Sequence, residues 1–168
     1  MDLIIREVQE RDLASFNEAL NEVCAERKFL GVVKGFPIET HRNFLKRILE
    51  KHLPQVVAVD GSKVIGWCDI LSSETEGFTH VGRLGMGLRK PYRGRGIGNQ
   101  LIEECLRLAK NYKLEKVELE VFSDNLPAIR LYQKHGFVEE GRKIRARKLD
   151  GQYQDVMLMG LLLLKPDK

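Results

Sequence analysis

Three glycines alternate with larger residues in the run Tyr92-Arg93-Gly94-Arg95-Gly96-Ile97-Gly98-Asn99, which lies between a strand-like and a helix-like segment. A turn of this kind leaves backbone N–H groups free at the N-terminus of a helix, where they and the helix dipole bind an anion, most often a phosphate. Glycine suits the turn because a side chain would block the ligand or forbid the backbone angles. The run therefore predicts a phosphate-binding loop, with a plain glycine-rich helix cap as the alternative.

Two common phosphate motifs do not fit this run. A P-loop needs Gly-Lys-Ser/Thr at the start of the helix, whereas the chain has Gly96-Ile97-Gly98-Asn99. In a dinucleotide fingerprint the third glycine comes one residue later and less chain precedes the motif. The spacing fits Arg/Gln-x-x-Gly-x-Gly/Ala instead, with Arg93, Gly96 and Gly98 at the specified positions.

A second motif lies downstream, in Asn125-Leu126-Pro127-Ala128-Ile129-Arg130-Leu131-Tyr132-Gln133-Lys134-His135-Gly136-Phe137. It matches the pattern Asn-x-x-Ala-x-x-Leu-Tyr-x-Lys-x-Gly-Phe at every specified position. The two motifs together, in this order and at this distance, resemble the GCN5-related N-acetyltransferase (GNAT) family. The resemblance covers about residues 55–160 well, and the segment before them only in pattern.

The resemblance implies a fold in which two parallel strands, ending near Leu88 and Val121, splay apart. The pantetheine arm of acetyl-CoA would insert between them like a substitute strand, which would explain the glycines at 82, 85 and 87. Backbone groups of Met86 and Leu88 would contact the pantetheine and thioester, and Asn125 the other side of the arm.

The pyrophosphate would lie on the backbone donors of the glycine run, flanked by the side chains of Arg93, Arg95 and Asn99. The full set that the resemblance implies for acetyl-CoA is Met86, Gly87, Leu88, Arg93, Gly94, Arg95, Gly96, Ile97, Gly98, Asn99, Asn125, Ala128, Tyr132 and Lys134.

Two residues are candidates for the chemistry. Tyr132 occupies the family's acid position, where its hydroxyl would protonate the leaving thiolate; the alternatives are a helix-face residue or a hydrogen bond to the sulphur. Glu120 is the candidate base, because ribosomal-protein N-terminal acetyltransferases carry a carboxylate at this position. Other branches relay the proton through water, so an exposed strand residue is the alternative for Glu120. Glu118 shares that face but lies further from the splayed end.

The periodicity of apolar residues predicts a mixed α/β chain with a central sheet and helices on both faces. Strands are predicted at 3–8, 55–59, 64–71, 81–88, 117–121, 137–148 and 152–164. Helices are predicted over 13–24, after a cap at Thr40, over 97–108 and over 128–135. Asp60-Gly61 and Asp150-Gly151 are hairpin turn signals.

Composition narrows the class of protein. At 168 residues one domain spanning 1–168 is expected, and the net charge of +4 suits an anionic ligand without requiring nucleic acid. Cys24, Cys68 and Cys105 are scattered, without the spacing of metal ligands, so we expect reduced thiols, no metal and a cytoplasmic location. No signal peptide and no apolar run long enough for a membrane span occurs in the sequence. The basic stretch 142–148 is interpreted as a solvated strand face, with steering of an acidic substrate or contact with the adenosine 3′-phosphate as the other options.

These features predict an acetyl-CoA-dependent N-acetyltransferase that acts by direct attack of a primary amine. The hairpin sequence 148–155 resembles branches that acetylate free amino acids or other small amines. A protein or peptide N-terminal acetyltransferase is the alternative enzyme, and a non-catalytic acyl-CoA sensor the alternative from another class. The expected partner is a small amine rather than nucleic acid or a membrane, and a homodimer is left open.

Overall fold

Seven strands form one mixed sheet in the order β1-β2-β3-β4-β5-β7-β6 in the computed structural model, which describes residues 2–163. The strands are β1 (Leu3–Glu7), β2 (Gln55–Asp60), β3 (Lys63–Ser72), β4 (Val81–Leu88), β5 (Lys116–Phe122), β6 (Val138–Leu149) and β7 (Gln152–Leu162). Strands β4 and β5 pair in parallel, and the other neighbours are antiparallel. The predicted strand pattern is confirmed, except that its last residue, Leu164, lies outside the described residues.

Within residues 2–163, four α-helices cover the two faces of this sheet. They are α1 (Leu13–Ala25), α2 (Ile38–Lys51), α3 (Ile97–Asn111) and α4 (Leu126–Lys134). Apolar residues of α1 and α2 pack with Val57 and Trp67 on one face, and those of α3 and α4 pack with Cys68 and Leu119 on the other. The predicted central sheet with helices on both faces is therefore confirmed.

The predicted cap at Thr40 is wrong. Helix α2 begins at Ile38, directly after Pro37, because the backbone N–H of His41 already reaches the carbonyl of Pro37 at 3.2 Å. Proline suits this place because its ring fixes φ and because no hydrogen bond from its missing backbone N–H is needed before a helix. Thr40 lies within the first turn, on the exposed side of the helix.

The sheet opens between β4 and β5. Their pairing is confined to Val81–Arg83 against Lys116–Glu118, after which the strands separate. Strand β4 stays paired with β3 as far as Leu88, and β5 stays paired with β7 as far as Phe122. Strand β4 is thus held by β3 and strand β5 by β7, and the facing edges of β4 and β5 border a gap.

Besides the open edge of β4, a lack of space for side chains explains the glycines of this strand. A Cβ on Gly87 would lie 2.2 Å from the indole of Trp67, and one on Gly82 would lie 2.4 Å from Ile70. A Cβ on Gly85 would lie 3.3 Å from a carboxyl oxygen of Asp69. Side chains of β3 therefore lie across β4, leaving no room for a Cβ at Gly82 and Gly87 and little room at Gly85.

Candidate active site

A cavity of about 1060 Å³ fills the gap between β4 and β5 and continues to both faces of the sheet. On the α3–α4 side its walls are the glycine run and α4. On the α1–α2 side they are the loop after α1, the end of β5 and the β6–β7 hairpin. The residues that line this second part, called the acceptor end here, are Val23, Phe29, Leu30, Gly31, Glu120, Phe122, Lys143, Ala146, Arg147 and Val156.

The glycine run forms a cradle of backbone donors. The N–H groups from Gly94 to Gly98 make no hydrogen bond to a backbone carbonyl within residues 2–163. The first three precede α3, and the N–H groups of its first turn have no helical carbonyl one turn earlier to bind. Gly94 and Gly96 have φ of +74° and +78°, with no atom within 4 Å of a Cβ placed on either. The cradle therefore has the donors and the open space that a pyrophosphate requires.

Of the run's larger residues, Ile97 faces the core and is 1% exposed, so its backbone alone is available to a ligand. Asn99 borders the cavity, and its Oδ1 lies 3.2 Å from Nε2 of His135. The Arg95 guanidinium lies 5.8 Å from the centre of the Tyr92 ring and is absent from the cavity lining described for residues 2–163.

The Arg93 side chain is engaged by the protein itself. Its Nε donates to the carbonyl of Leu88 at 2.8 Å, its two terminal nitrogens pair with the carboxylate of Glu26, and the guanidinium stacks on Phe29 at 4.7 Å. Arg93 thus ties the cradle to the end of α1. The sequence suggested a side chain that flanks phosphate, and the structure adds this tethering contact.

Helix α4 presents the residues of the second motif to the cavity. Asn125 caps the helix, with its Oδ1 accepting from the N–H of Ala128 at 3.4 Å. Pro127 lies in the first turn, and Gly136 follows the helix with φ of +89°. Asn125, Ala128 and Lys134 all line the cavity, as do Met86, Gly87 and Leu88 of β4.

Tyr132 has a buried ring and a place in the cavity wall. The residue is 7% exposed, and its ring meets Phe137 edge-on at 5.8 Å. Burial, and to a smaller extent the nearby Cys68, raises the pKa of the phenol, which therefore stays protonated at neutral pH. Within residues 2–163 its hydroxyl has no hydrogen-bond partner, so it is available to form a hydrogen bond with a ligand in the cavity.

Glu120 lies across the cavity from Tyr132, on the acceptor side of β5. Its Oε1 accepts from Arg83 of β4 and from Nζ of Lys143 of β6, the latter at 2.8 Å. Both hydrogen bonds use the same oxygen, so Oε2 is left to a ligand as far as the described residues show. The structure thus brings Glu120 and Tyr132 to one cavity, and adds two cations that the sequence did not indicate.

Arg147 was not singled out from the sequence, where 142–148 were interpreted as a solvated strand. Its guanidinium stacks on Phe122 at 4.1 Å and donates to the carbonyls of Leu30 and Arg27, both at 3.0 Å. It also donates to Gln154 at 2.7 Å. Lys143 and Arg147 both line the acceptor end. The solvated-face interpretation holds for Lys143, whose side chain is 52% exposed, and is wrong for Arg147, which is partly buried. Residues four apart on a strand share a face, but which face of β6 borders the cavity depends on its pairing with β7, which is irregular between Lys143 and Arg147 and cannot be derived from the local pattern.

Buried Arg89 is another residue that the sequence did not indicate. It is 2% exposed, pairs with Glu22 of α1 and donates to the carbonyls of Val64 and Ser15 at 2.9 and 3.1 Å. The pattern of apolar residues in the sequence does not predict that this arginine is buried. Its contacts fix the end of β4 against α1, just before the cradle begins.

Comparison with known proteins gives the family. The family model described as Acetyltransferase (GNAT) family matches residues 16–137. The L-amino acid N-acetyltransferase AaaT of Escherichia coli (strain K12) is 26% identical over 160 residues, which cover 94% of this chain and 96% of that protein.

Two solved structures share the fold. The GNAT-family acetyltransferase from Streptococcus pneumoniae matches with a TM-score of 0.89 at 31% identity, covering 96% of this chain and 99% of that chain. The structure of yncA from Salmonella typhimurium, solved with its cofactor acetyl-CoA, matches with a TM-score of 0.92 at 18% identity and covers 99% of each chain.

The chain belongs to the acetyltransferase (GNAT) family, and is an N-acetyltransferase with acetyl-CoA as its co-substrate. The predicted family, fold class and co-substrate are confirmed. Between residues 2 and 163, no His, Cys, Asp and Glu side chains group in a way that could hold a metal ion. In the same part of the chain, no helix is both long and apolar enough to cross a bilayer.

Proposed function

We propose that this protein acetylates the α-amino group of a free amino acid. The observation that carries the proposal is the pair of opposite charges at the acceptor end, where Nζ of Lys143 lies 2.8 Å from Oε1 of Glu120. A free α-amino acid carries an ammonium and a carboxylate on the same carbon. Lys143 would bind the carboxylate while Glu120 faces the amine. The 26% identity to an L-amino acid N-acetyltransferase supports the same choice.

Acetyl-CoA would enter from the α3–α4 side. Its pyrophosphate would bind the donors of Gly94–Gly98, and its pantetheine arm would run along the free edge of β4 beside Met86 and Leu88. Asn125 and Ala128 would contact the other side of the arm. The thioester would then lie between Tyr132 and the acceptor end.

Transfer requires a neutral amine. Glu120 would take the first proton of the ammonium, directly or through water, and the nitrogen lone pair would then attack the thioester carbon. The new C–N bond places negative charge on the former carbonyl oxygen, which backbone N–H groups of β4 near Leu88 would stabilise. Before this intermediate collapses, its nitrogen would lose its second proton to water. Collapse then breaks the C–S bond, the Tyr132 hydroxyl would protonate the leaving thiolate, and the phenolate would regain a proton from solvent.

The test is release of free CoA thiol with matched acceptors: L-amino acids, their amides, polyamines and short peptides. We expect L-amino acids to react and their amides, which lack the carboxylate, to react at least about tenfold more slowly, because one lost charged contact costs about 1.4 kcal/mol or more. The Lys143→Gln variant should lose that preference, whereas Lys148→Gln on the same strand should keep it.

Other outcomes point to the alternatives. Preference for a peptide N-terminus over every free amino acid would indicate a protein N-terminal acetyltransferase. Tight binding of acetyl-CoA without turnover on any amine would indicate a sensor.

A further inference from the structure

A second carboxyl group lies behind the acceptor end, on β3. Asp69 pairs across the sheet with Gly85, a residue of the cavity wall. One carboxyl oxygen of Asp69 is only 3.3 Å from the point that a Cβ on Gly85 would occupy. Asp69 is not itself part of the cavity lining, but Gly85 is, and because Gly85 has no side chain it places none between the Asp69 carboxyl group and the cavity.

The surroundings of Asp69 leave it without a charged partner. No lysine, arginine or histidine among residues 2–163 forms an ion pair with it. Its neighbour on β2 is Gln55, which is 1% exposed and whose amide nitrogen and oxygen make no hydrogen bond of good geometry within the described chain. A carboxyl group without a charged partner, beside an amide that reaches it only in poor hydrogen-bond geometry, costs free energy, and such a group calls for a functional explanation.

The other titratable and charged groups on the surrounding elements have their own partners, namely Arg83 with Glu120, Glu22 with Arg89, Glu26 with Arg93, and His41 with Asn17. The Cys105 thiol of α3, on the far face of the sheet, has its pKa raised mainly by burial and to a lesser degree by the Asp69 charge. None of these groups supplies a positive charge to Asp69.

We propose that Asp69 receives the second proton of the amine nitrogen, the one released after attack, through one water molecule placed over Gly85. This inference rests on the proposed function, in which Glu120 takes the first proton of the ammonium. The N–H of the tetrahedral intermediate gives its proton to the water, and the water gives one of its own to an oxygen of Asp69. The nitrogen is then neutral, the intermediate collapses to the amide with loss of the thiolate, and the carboxylic acid returns the proton to solvent after the product leaves.

The acidity of Asp69 agrees with that role. Burial raises its pKa to about 7, against a smaller lowering by the Gln55 amide. A base that titrates near the working pH combines availability with proton affinity. Asp69 is a positioning and relay residue here, since the water and not the carboxyl group touches the amine.

The test compares Asp69→Asn with the parent protein and with Glu118→Gln, which removes a carboxylate from neighbouring β5 away from the splayed end. The readout is kcat/KM for the best amine between pH 5.5 and 9.5. The parent and Glu118→Gln should both show a limb that rises with an apparent pKa near 7. Asp69→Asn should lose that limb, and its kcat/KM at pH 7.5 should fall about 10²-fold.

A stability readout separates the relay from a structural role. An aspartic acid that ionises near 3.8 when unfolded and near 7 when folded keeps an extra proton in the folded state between those values, so stability falls as pH rises through that range. Asparagine does not ionise, so the variant loses no stability for this reason as pH rises. Asp69→Asn should therefore have a higher Tm than the parent at pH 8, and the difference should shrink toward pH 4.

An Asp69→Asn variant with the parental pH profile and rate would overturn the relay while leaving the proposed function intact. A variant that is slower but also less stable at pH 8, with its limb near pH 7 retained, would overturn it in favour of a structural role. A parent protein that acetylates no amine would overturn the proposed function, and the relay with it.

Discussion

The two ends of the Tyr132 side chain lie in different surroundings. Its ring is part of the core beside Phe137, and its hydroxyl borders the cavity. Because the ring is held by packing, the hydroxyl has a fixed place without needing a hydrogen bond from the protein. Burial raises the pKa of the phenol, so it remains an available proton donor across the neutral range. These properties suit a group that acts on a leaving thiolate.

Replacing Tyr132 by Phe should therefore lower kcat about 10²-fold with little change in acetyl-CoA affinity, since the lost contact matters mainly in the transition state. Tyr112→Phe removes the same atom at an exposed position and should behave like the parent. Steady-state kinetics under conditions where chemistry limits the rate provide the measurement. A Phe variant with parental kcat would refute the acid role.

One carboxylate oxygen of Glu120 is held by Arg83 and Lys143, and under the proposed function the other oxygen would face the amine. Replacement by Gln keeps the shape and removes the basicity. The variant should lose more rate at pH 7 than at pH 9, because a free amine becomes abundant as pH rises and needs less help. The limb near pH 7 assigned to Asp69 should remain. Profiles of equal height for the parent and Glu120→Gln would leave Glu120 as an exposed strand residue.

At the scale of elements, the β6–β7 hairpin and the loop after α1 form one wall of the acceptor end. Arg147 joins them by donating to the carbonyls of Leu30 and Arg27 while lying on Phe122. Asp150 at the hairpin tip pairs with the Arg27 side chain at 2.9 Å. That second pair is exposed and contributes little stability, so Arg147 is the main link.

Lysine cannot reproduce the planar fork of Arg147. In Arg147→Lys we expect the loop to lose its fixed position, the KM for the amine to rise about tenfold, and the acetyl-CoA affinity to stay the same. Arg145→Lys changes a neighbouring arginine that stacks on exposed Tyr153, and should have no effect on either constant. Equal amine KM values for the two variants would show that the loop needs no such link.

At the scale of the whole molecule, the sheet is two halves that meet only at the first residues of β4 and β5. One half is completed by α1, α2 and the pairing of β4 with β3, and the other by the pairing of β5 with β7 and β6. A ligand that binds both inner edges joins the halves. We expect acetyl-CoA to stabilise the entire fold rather than the cradle alone.

The measurement is the Tm with and without acetyl-CoA, which should rise by mass action, equivalent to about 2.7 kcal/mol at a hundredfold excess over Kd. Gly96→Ala places a methyl group where the phosphate would approach, and should reduce the shift. Gly61→Ala is the matched control, because Gly61 also has a positive φ, +60° against +78°, and open space around it, but lies in the β2–β3 turn. If both variants keep the parental shift, the phosphate does not lie at the cradle.

Features that depend on neighbours along the chain were predictable from the sequence. The cradle needs glycines beside a helix start, and the helix α4 needs Pro127 inside its first turn and Gly136 after its end. The hairpin at Asp150-Gly151 follows from residues that accept positive φ, which are 49° and 77° here. Local backbone preference determines each of these, so the order of elements and the family pattern were fixed before any tertiary contact was known.

Features that depend on residues distant in the chain were decided by the tertiary structure alone. Arg147 meets Leu30 across 117 positions, Arg89 meets Glu22 across 67, and Asp69 meets Gly85 through the pairing of two strands. In the sequence these are ordinary charged residues within alternating patterns. Their partners are set by sheet register and by which helix covers which face, and no local preference encodes either. For that physical reason the acetyl-CoA side of the cavity could be anticipated from motifs, whereas Glu120 alone of the acceptor end was anticipated, from the family resemblance.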